Sequence, residues 1–282
     1  MKTKAKLLSI ALILSGFLAS CSEQTIPIEE NVNDVKAEQT TSQLETEVKE
    51  ANGSHPADWS YEGDTGPEYW GELDPSYAAC SKGKEQSPIN IESSQIKDSD
   101  TKADMTIQYE PTTVTLENTG YTIQANPITK RNIIVLNNKE YALEQFHFHT
   151  PSEHQFNSKN FPMELHLVHK DPYGKLAVLG VMIQEGNENE KLAAAWNALP
   201  KKASEKTIVK EPVDVKSLLP QKQTAFHYDG SLTTPPCTEG VKWLVYEQPI
   251  YMSKDQIQAF KERFPDNHRP VQPINDREII KN

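Results

Sequence analysis

Two stretches of the chain decide both its fold and its chemistry: Gln145-Phe146-His147-Phe148-His149 and Glu164-Leu165-His166-Leu167-Val168-His169. Side chains alternate between two faces along a β-strand, so in the first stretch both phenylalanines take one face and both histidines take the other. In the second stretch, His166 shares a face with Glu164 and Val168. If the two strands are neighbours, His147, His149 and His166 converge on one point.

Three neutral imidazoles with no fourth protein ligand are typical of a zinc ion that keeps one position open for water. Gln145 and Glu164 lie on the ligand faces, each two residues from a histidine, where they could accept the second ring N–H and fix the tautomer. His154 lies beyond the first strand and His169 faces away from His166, so we expect structural hydrogen bonding from both. The sequence therefore predicts a three-histidine zinc site.

Two other interpretations of this region stay open at this point. The histidines could be ordinary core or surface residues without a ligand role. His147-x-His149 followed by Glu153 also resembles half of a cupin metal motif. A cupin would need a Gly-rich turn and a later histidine in a separate motif, whereas the third histidine here lies in an alternating strand after Pro162.

From Trp59 onward the chain consists mostly of short β-type runs separated by turn residues. Two segments have apolar residues at helical spacing, 187–199 and 253–264, and the second begins with the capping-box pair Ser253 and Gln256. Residues 171–174 fit a turn with proline second and glycine last. We therefore predict a single, mainly β (α+β) domain with a mostly antiparallel sheet and few short helices. Strands are expected around Val114, Thr122, Ile134, Ala142, Phe148, Leu167, Val178 and Val245.

The N-terminus has the features of a bacterial lipoprotein signal. Three early lysines precede an apolar run over 7–18, which is shorter than the about 18 residues that a membrane-spanning helix needs. Leu18-Ala19-Ser20-Cys21 resembles a lipobox, which predicts a signal peptide over 1–21, cleavage before Cys21 and lipid on its thiol. An ordinary signal with an incidental cysteine is the alternative.

Residues 22–55 hold eight acidic side chains, two lysines and no aromatic residue. Such a segment buries too little apolar surface to fold, so we predict an acidic flexible tether between the anchor and a domain over 56–280. The protein is then exported and membrane-anchored, facing the periplasm or the cell exterior. The net charge of the whole chain is -11, which disfavours nucleic-acid binding because that function needs a basic face.

Six blocks of sequence, read together, identify a family. They are Gln86-Ser87-Pro88-Ile89-Asn90-Ile91, 145–149, 164–169, Tyr228 with Gly230-Ser231-Leu232-Thr233-Thr234-Pro235-Pro236, Trp243, and Asn267-His268-Arg269-Pro270. In order and spacing they resemble the α-class carbonic anhydrases, themselves the standard example of a three-histidine zinc site. The resemblance implies a twisted sheet with a conical active-site cleft and zinc at its base. The implied reaction is the reversible hydration of carbon dioxide to bicarbonate and a proton through zinc-bound hydroxide.

The resemblance also implies roles for single residues. Thr233 and Glu153 match a relay that orients the zinc-bound hydroxide, and Tyr61 matches part of the cleft's solvent network. Without the family, the apolar residues of the substrate wall would be interpreted simply as β-core. The metal ligands match His147, His149 and His166; the residues that support them match Gln145, Glu164, Asn267, His154 and Tyr228; the substrate contacts match Val168, Val178, Leu232, Thr234, Val241 and Trp243.

One position departs from the fast members of this family. Where they carry Asn-Gly-His in the cleft, this chain carries Thr119-Gly120-Tyr121. The proton released during hydration must reach bulk solvent, and a histidine with a pKa near ~6.5 suits that step better than a tyrosine near ~10. We therefore expect slower turnover, limited by proton transfer at the position of Tyr121.

The odd number of cysteines, three, is explained by two separate roles. Cys21 belongs to the signal, and the resemblance implies that Cys80 and Cys237 are joined, as in exported members of the family. Such a disulfide would close a long loop, and loop-entropy models give roughly 4 to 5 kcal/mol of stabilisation. Two free buried thiols are the alternative.

A catalytically weak, carbonic-anhydrase-like surface binding module is the alternative function. Such proteins typically lose one or more zinc histidines, whereas this chain has all three. The expected cofactor is Zn²⁺, and the expected ligands are carbon dioxide and bicarbonate, with sulfonamides and anions as inhibitors. The membrane is contacted through lipid at Cys21, no nucleic-acid partner is expected, and a homodimer is left open.

Overall fold

The computed structural model of the protein describes residues 57–98 and 104–282. The predicted signal peptide over 1–21, the lipid at Cys21 and the predicted tether over 22–55 lie outside the described residues. Within the described residues, no helix has the length and apolar character needed to cross a membrane.

Short strands dominate the regular structure of the described residues. The strands are β1 (Asn90–Ile91), β2 (Ile96–Asp98), β3 (Met105–Gln108), β4 (Val114–Asn118), β5 (Ile123–Pro127), β6 (Ile133–Leu136), β7 (Lys139–His149), β8 (Gln155–Phe156), β9 (Met163–Lys170), β10 (Leu176–Glu185), β11 (Lys206–Ile208), β12 (Ala225–Ser231), β13 (Glu239–Met252) and β14 (Ile279–Lys281). The helices are α1 (Trp70–Leu73), α2 (Ala79–Lys82), α3 (Ala193–Asn197) and α4 (Lys254–Lys261). Four 3₁₀ turns cover Gly63–Thr65, Pro75–Tyr77, Glu190–Leu192 and Val215–Leu218.

One large twisted sheet positions the candidate site. Its strand order is β11-β4-β5-β7-β9-β10-β13-β12-β14-β2, with β3 paired to β6 and β6 to β7. Most neighbours are antiparallel, while β10 with β13 and β14 with β2 run parallel. The two remaining strands, β1 and β8, pair with each other. The prediction of a mainly β domain with a mostly antiparallel sheet and few short helices is confirmed.

The predicted helices, strands and turn agree with the structure to different degrees. Helix α4 has the predicted capping box, in which Ser253 accepts from the Gln256 N–H and the Gln256 side chain accepts from the Ser253 N–H. The predicted helix over 187–199 is wrong in length, because a 3₁₀ turn occupies its start and only Ala193–Asn197 is α-helical. The strand expected around Thr122 begins one residue later. The turn over 171–174 closes through a 3.0 Å bond from the Gly174 N–H to the Asp171 carbonyl.

Apolar side chains cover both faces of the sheet. Phe146 and Phe148 are buried in the larger cluster, which includes the apolar sides of α3 and α4. The smaller cluster lies on the other face and contains Val168 and Trp243. Because strand alternation sends the phenylalanines of β7 into the larger core, it leaves the histidines of that strand on the opposite face.

Candidate active site

Three histidines from the adjacent strands β7 and β9 come together on one face of the sheet. Antiparallel pairing places His147 directly opposite His166, and alternation along β7 puts His149 beside them. One nitrogen of each ring lies within 4.8 Å of those of the other two. The convergence predicted from strand periodicity is therefore present in the structure.

The second nitrogen of each ring is held by a protein oxygen. The Nδ1–H of His147 donates to Gln145 Oε1 at 2.8 Å, and that of His149 donates to the Asn267 carbonyl at 2.7 Å. His166 is reversed, and its Nε2–H donates to Glu164 Oε1 at 2.8 Å. These bonds fix the tautomers and leave Nε2, Nε2 and Nδ1, respectively, free to bind a metal ion.

Burial keeps the three imidazoles neutral, as metal ligands must be. Burial lowers the pKa of His149 to about 4 and also lowers the pKa of His166. Burial and the neighbouring rings hold the pKa of His147 well below its ordinary value. His149 Nε2 is also buried without a hydrogen-bond partner among the described residues. An orphaned buried nitrogen facing two other free imidazole nitrogens fits a zinc ion.

Glu164 is a fully buried carboxylate saturated by donors. Its Oε2 accepts from the backbone N–H groups of Glu153 and His154, and its Oε1 accepts from the rings of His154 and His166. Burial alone would raise the pKa of Glu164, but His154 and His166 outweigh it and hold that pKa well below its ordinary value. On the far side, Tyr228 donates to His154 Nε2 at 2.6 Å. Both ring nitrogens of His154 are therefore engaged in hydrogen bonds to protein groups.

His169, the other histidine assigned a structural role, lies on the opposite face. Its Nε2 accepts a hydrogen bond from the Tyr109 hydroxyl, and the two rings stack. Burial lowers its pKa to about 4. It takes no part in the three-histidine group.

Glu153 is fully buried beside the histidines, with its Oε2 lying 3.5 Å from His149 Nε2. Its Oε1 accepts the Arg269 backbone N–H at 2.9 Å, while Oε2 has no partner with hydrogen-bond geometry among the described residues. Burial raises the pKa of Glu153, against the opposing effects of His166, the Arg269 N–H and the nearby Thr233 hydroxyl. The structure thus brings Thr233 next to Glu153 and leaves one carboxylate oxygen unpartnered.

The apolar residues matched to the substrate wall form one cluster. Trp243 lies beside His166, with the two ring centroids 4.9 Å apart. Thr234 lies outside this cluster, and its carbonyl accepts the Cys237 N–H in a turn directly after Thr233. The other matched residues in this cluster are Val168, Val178 and Val241, and Leu232 packs against it.

An aromatic group contains the two tyrosines predicted for the cleft. Tyr121 stacks on Trp59, with ring centroids 4.1 Å apart and planes 14° apart. Tyr61 packs edge-on against Trp59 and Trp70. Burial raises the pKa of Tyr121, and burial followed by the Glu153 charge raises that of Tyr61 well above its ordinary value. Both phenols therefore stay protonated at neutral pH.

The structure adds residues that sequence reasoning missed. Gly180 in β10 lies opposite His166, and a Cβ there would be 3.1 Å from Glu164 Oε1. Ser87 lies 2.9 Å from the Tyr228 hydroxyl, and a Cβ on Gly230 would be 2.2 Å from Ser87 Oγ. A glycine inside a strand often marks such a close approach, so the sequence did indicate that something lies close to these two glycines. The sequence could not indicate which side chain it is.

Comparisons with known proteins agree with this geometry. The sequence model of eukaryotic-type carbonic anhydrases matches residues 65–282. A carbonic anhydrase of Pectobacterium atrosepticum is 39% identical over 231 residues, which cover 82% of this chain and 93% of that protein. One from Nostoc sp. is 42% identical over 225 residues, covering 79% of this chain and 85% of that protein. The solved α-carbonic anhydrase of Thermovibrio ammonificans, in complex with the inhibitor sulfanilamide, superposes with a TM-score of 0.77 at 40% identity, covering 79% of this chain and 99% of that one. The chain belongs to the α-class, or eukaryotic-type, carbonic anhydrase family, whose members use zinc.

Proposed function

We propose that this domain catalyses the reversible hydration of carbon dioxide to bicarbonate and a proton, at a zinc ion bound by His147, His149 and His166. The observation that carries the proposal is the set of three neutral imidazoles, each held by a protein oxygen at one nitrogen and free at the other. In carbonic anhydrases, the reference case for this effect, zinc lowers the pKa of bound water to about 7 and so supplies a nucleophile at neutral pH.

Thr233 and Glu153 orient that nucleophile. Because Glu153 Oε2 has no other donor among the described residues, it is available to accept a hydrogen bond from the Thr233 hydroxyl. A threonine that donates to a carboxylate can only accept from the group in front of it. With zinc bound by the three histidines, that single accepting role of Thr233 would set the orientation of the nucleophile that the metal supplies.

Carbon dioxide is uncharged, so its binding needs a dry apolar wall rather than a charged clamp. The cluster around Val168, Val178 and Trp243 provides such a wall next to His166. Leu232 and Val241 extend it, and Thr234 helps to place the bicarbonate product. Sulfonamide and anion inhibitors are expected to bind at the same place, beside this wall and the three histidines.

Proton export is the step at which this chain is expected to be slow. Tyr121 occupies the position of the usual shuttle histidine, and its phenol is stacked on Trp59 and kept protonated by burial. A group that neither releases nor takes up a proton near pH 7 does not relay one efficiently. The proton then leaves through solvent or buffer.

The lipobox over 18–21 supports an exported enzyme anchored by lipid at Cys21, with the acidic tether 22–55 between membrane and domain. Radiolabelled palmitate fed to the producing cells tests the anchor. Label in the parent protein and none in Cys21→Ser is the expected result, and an unlabelled parent protein would contradict the anchor.

A binding module without activity is not favoured, because all three imidazoles are present and correctly supported. Zinc analysis and a carbon dioxide hydration assay on purified protein test the enzyme. The expected result is one zinc per chain and hydration that a sulfonamide suppresses. A protein that binds no zinc and hydrates no carbon dioxide would refute it.

A further inference from the structure

Arg269 is a charged side chain with only 1% of its surface exposed. A buried charge is costly unless it is fully hydrogen-bonded. The guanidinium donates to Gln86 Oε1 at 2.8 Å, to the Ser87 carbonyl at 2.7 Å and to the Cys80 carbonyl at 2.8 Å. It also lies 5.8 Å from the centroid of the Trp70 ring. These contacts hold the side chain in one position.

The main chain of the same residue touches the candidate site. The Arg269 N–H is the donor that holds Glu153 Oε1, and it is the one donor with hydrogen-bond geometry to this carboxylate among the described residues. A shift of the Arg269 backbone therefore turns the Glu153 carboxylate and displaces its other oxygen, Oε2, which must meet Thr233. The guanidinium anchors that backbone from the other side.

The acceptors of the Arg269 guanidinium also contact the loop that carries Thr233. Gln86, which accepts from Arg269, donates to the Cys237 carbonyl at 3.1 Å. Cys237 has a positive φ of 56° and is bonded to Cys80, whose carbonyl is another acceptor of Arg269. A left-handed, non-glycine residue persists only where its surroundings hold it. The disulfide and Arg269 thus connect the turn after Thr233 to the backbone beside Glu153.

We propose that Arg269 is a positioning residue for the hydration step, which holds Glu153 in line with Thr233 through its own backbone N–H. The inference rests on the proposed function. Lysine at this position cannot reproduce the planar fork that serves three acceptors.

The test compares Arg269→Lys with the parent enzyme by hydration kinetics and zinc analysis. We expect kcat/KM to fall about tenfold with one zinc retained per chain, since supporting residues of this kind contribute about 10- to 100-fold. The kcat measured in dilute buffer falls less, because proton export rather than hydration limits it there. A merely structural role would lower kcat, kcat/KM and zinc content by one common factor.

Arg277→Lys is the matched control. Its guanidinium also has three acceptors, here the backbone carbonyls of Ile274, Asp229 and Pro273, and lies 5.6 Å from the Tyr228 ring centroid. It has no bond to Glu153, so kcat/KM should stay within twofold of the parent value. An equal loss in both variants would overturn the proposal.

A folded, zinc-loaded Arg269→Lys with kcat/KM within twofold of the parent value would also overturn it. If that variant does not fold, Gln86→Met removes one acceptor while keeping the arginine. An unchanged kcat/KM in Gln86→Met would also overturn the proposal. An inactive, zinc-free parent protein would instead refute the proposed function.

Discussion

Gly180→Ala would perturb the support of one histidine without touching any side chain that binds the metal. The new Cβ would lie 3.1 Å from Glu164 Oε1, and 3.4 and 3.6 Å from the methyl groups of Val245. The Glu164 carboxylate must therefore move by a few tenths of an ångström. It has little freedom to do so, because four donors at 2.8 to 2.9 Å hold it.

The bond from His166 Nε2 is the one most directly strained, since Gly180 lies opposite His166 in the strand pair. Loss of such support typically weakens metal binding about 10- to 100-fold, or about 1.4 to 2.7 kcal/mol. Zinc dissociation constants measured by chelator competition test this. Gly186→Ala, after the end of β10 and against the half-exposed Tyr251, is the control expected to keep zinc affinity. Zinc affinity of Gly180→Ala within twofold of the parent value would refute the reasoning.

Three further predictions follow from other parts of the molecule. Tyr121→His, or imidazole added to the parent enzyme, should raise kcat about three- to tenfold and leave kcat/KM unchanged; no response to either would show that proton export is not limiting. Replacing Cys80 and Cys237 together by serine should lower the free energy of unfolding by roughly 4 to 5 kcal/mol, measured by urea titration, and a loss below about 1 kcal/mol would contradict it. Neutral His169, with a pKa of about 4 in the fold and ~6.5 in the unfolded chain, makes stability fall as pH drops from ~6.5 towards 4, by about 2 kcal/mol at pH 5. His169→Gln should remove that part of the pH dependence, and an unchanged dependence would refute the assignment.

The parts of the fold that sequence could predict are those set by local periodicity. Alternation in β7 and β9 gives the faces of His147, His149 and His166, because a strand has a fixed period of two. The capping box of α4 is equally local. The apolar spacing over 187–199 predicts one helix, yet a 3₁₀ turn occupies part of the segment before the α-helix begins. Spacing alone does not distinguish the two kinds of turn, because residues three apart share a face in both.

The non-local parts of the site could not be predicted in this way. That His166 presents Nδ1 while the other two ligands present Nε2 depends on which acceptor holds the second nitrogen. Gln145 and Glu164 each lie two residues from the histidine that they support. The acceptor for His149 is instead a backbone carbonyl 118 positions away in the sequence. The resemblance supplied that partner, and it supplied no role for Arg269. Contacts between distant segments follow from the packing of the whole sheet.

Glu153 and Glu164 show that contacts between distant segments determine the role of a carboxylate. Both are acidic residues with no exposed surface, and both lie next to the histidines. Glu164 has four donors, and its pKa is held well below the ordinary value by His154 and His166, so it is a fixed negative charge that orients a ligand. Glu153 has one backbone donor and an unpartnered oxygen, and burial raises its pKa. Only a carboxylate with an open acceptor site can accept a hydrogen bond from a group whose own partner changes during a reaction. The division of roles therefore follows from the number of donors around each carboxylate, which depends on segments far apart in the chain.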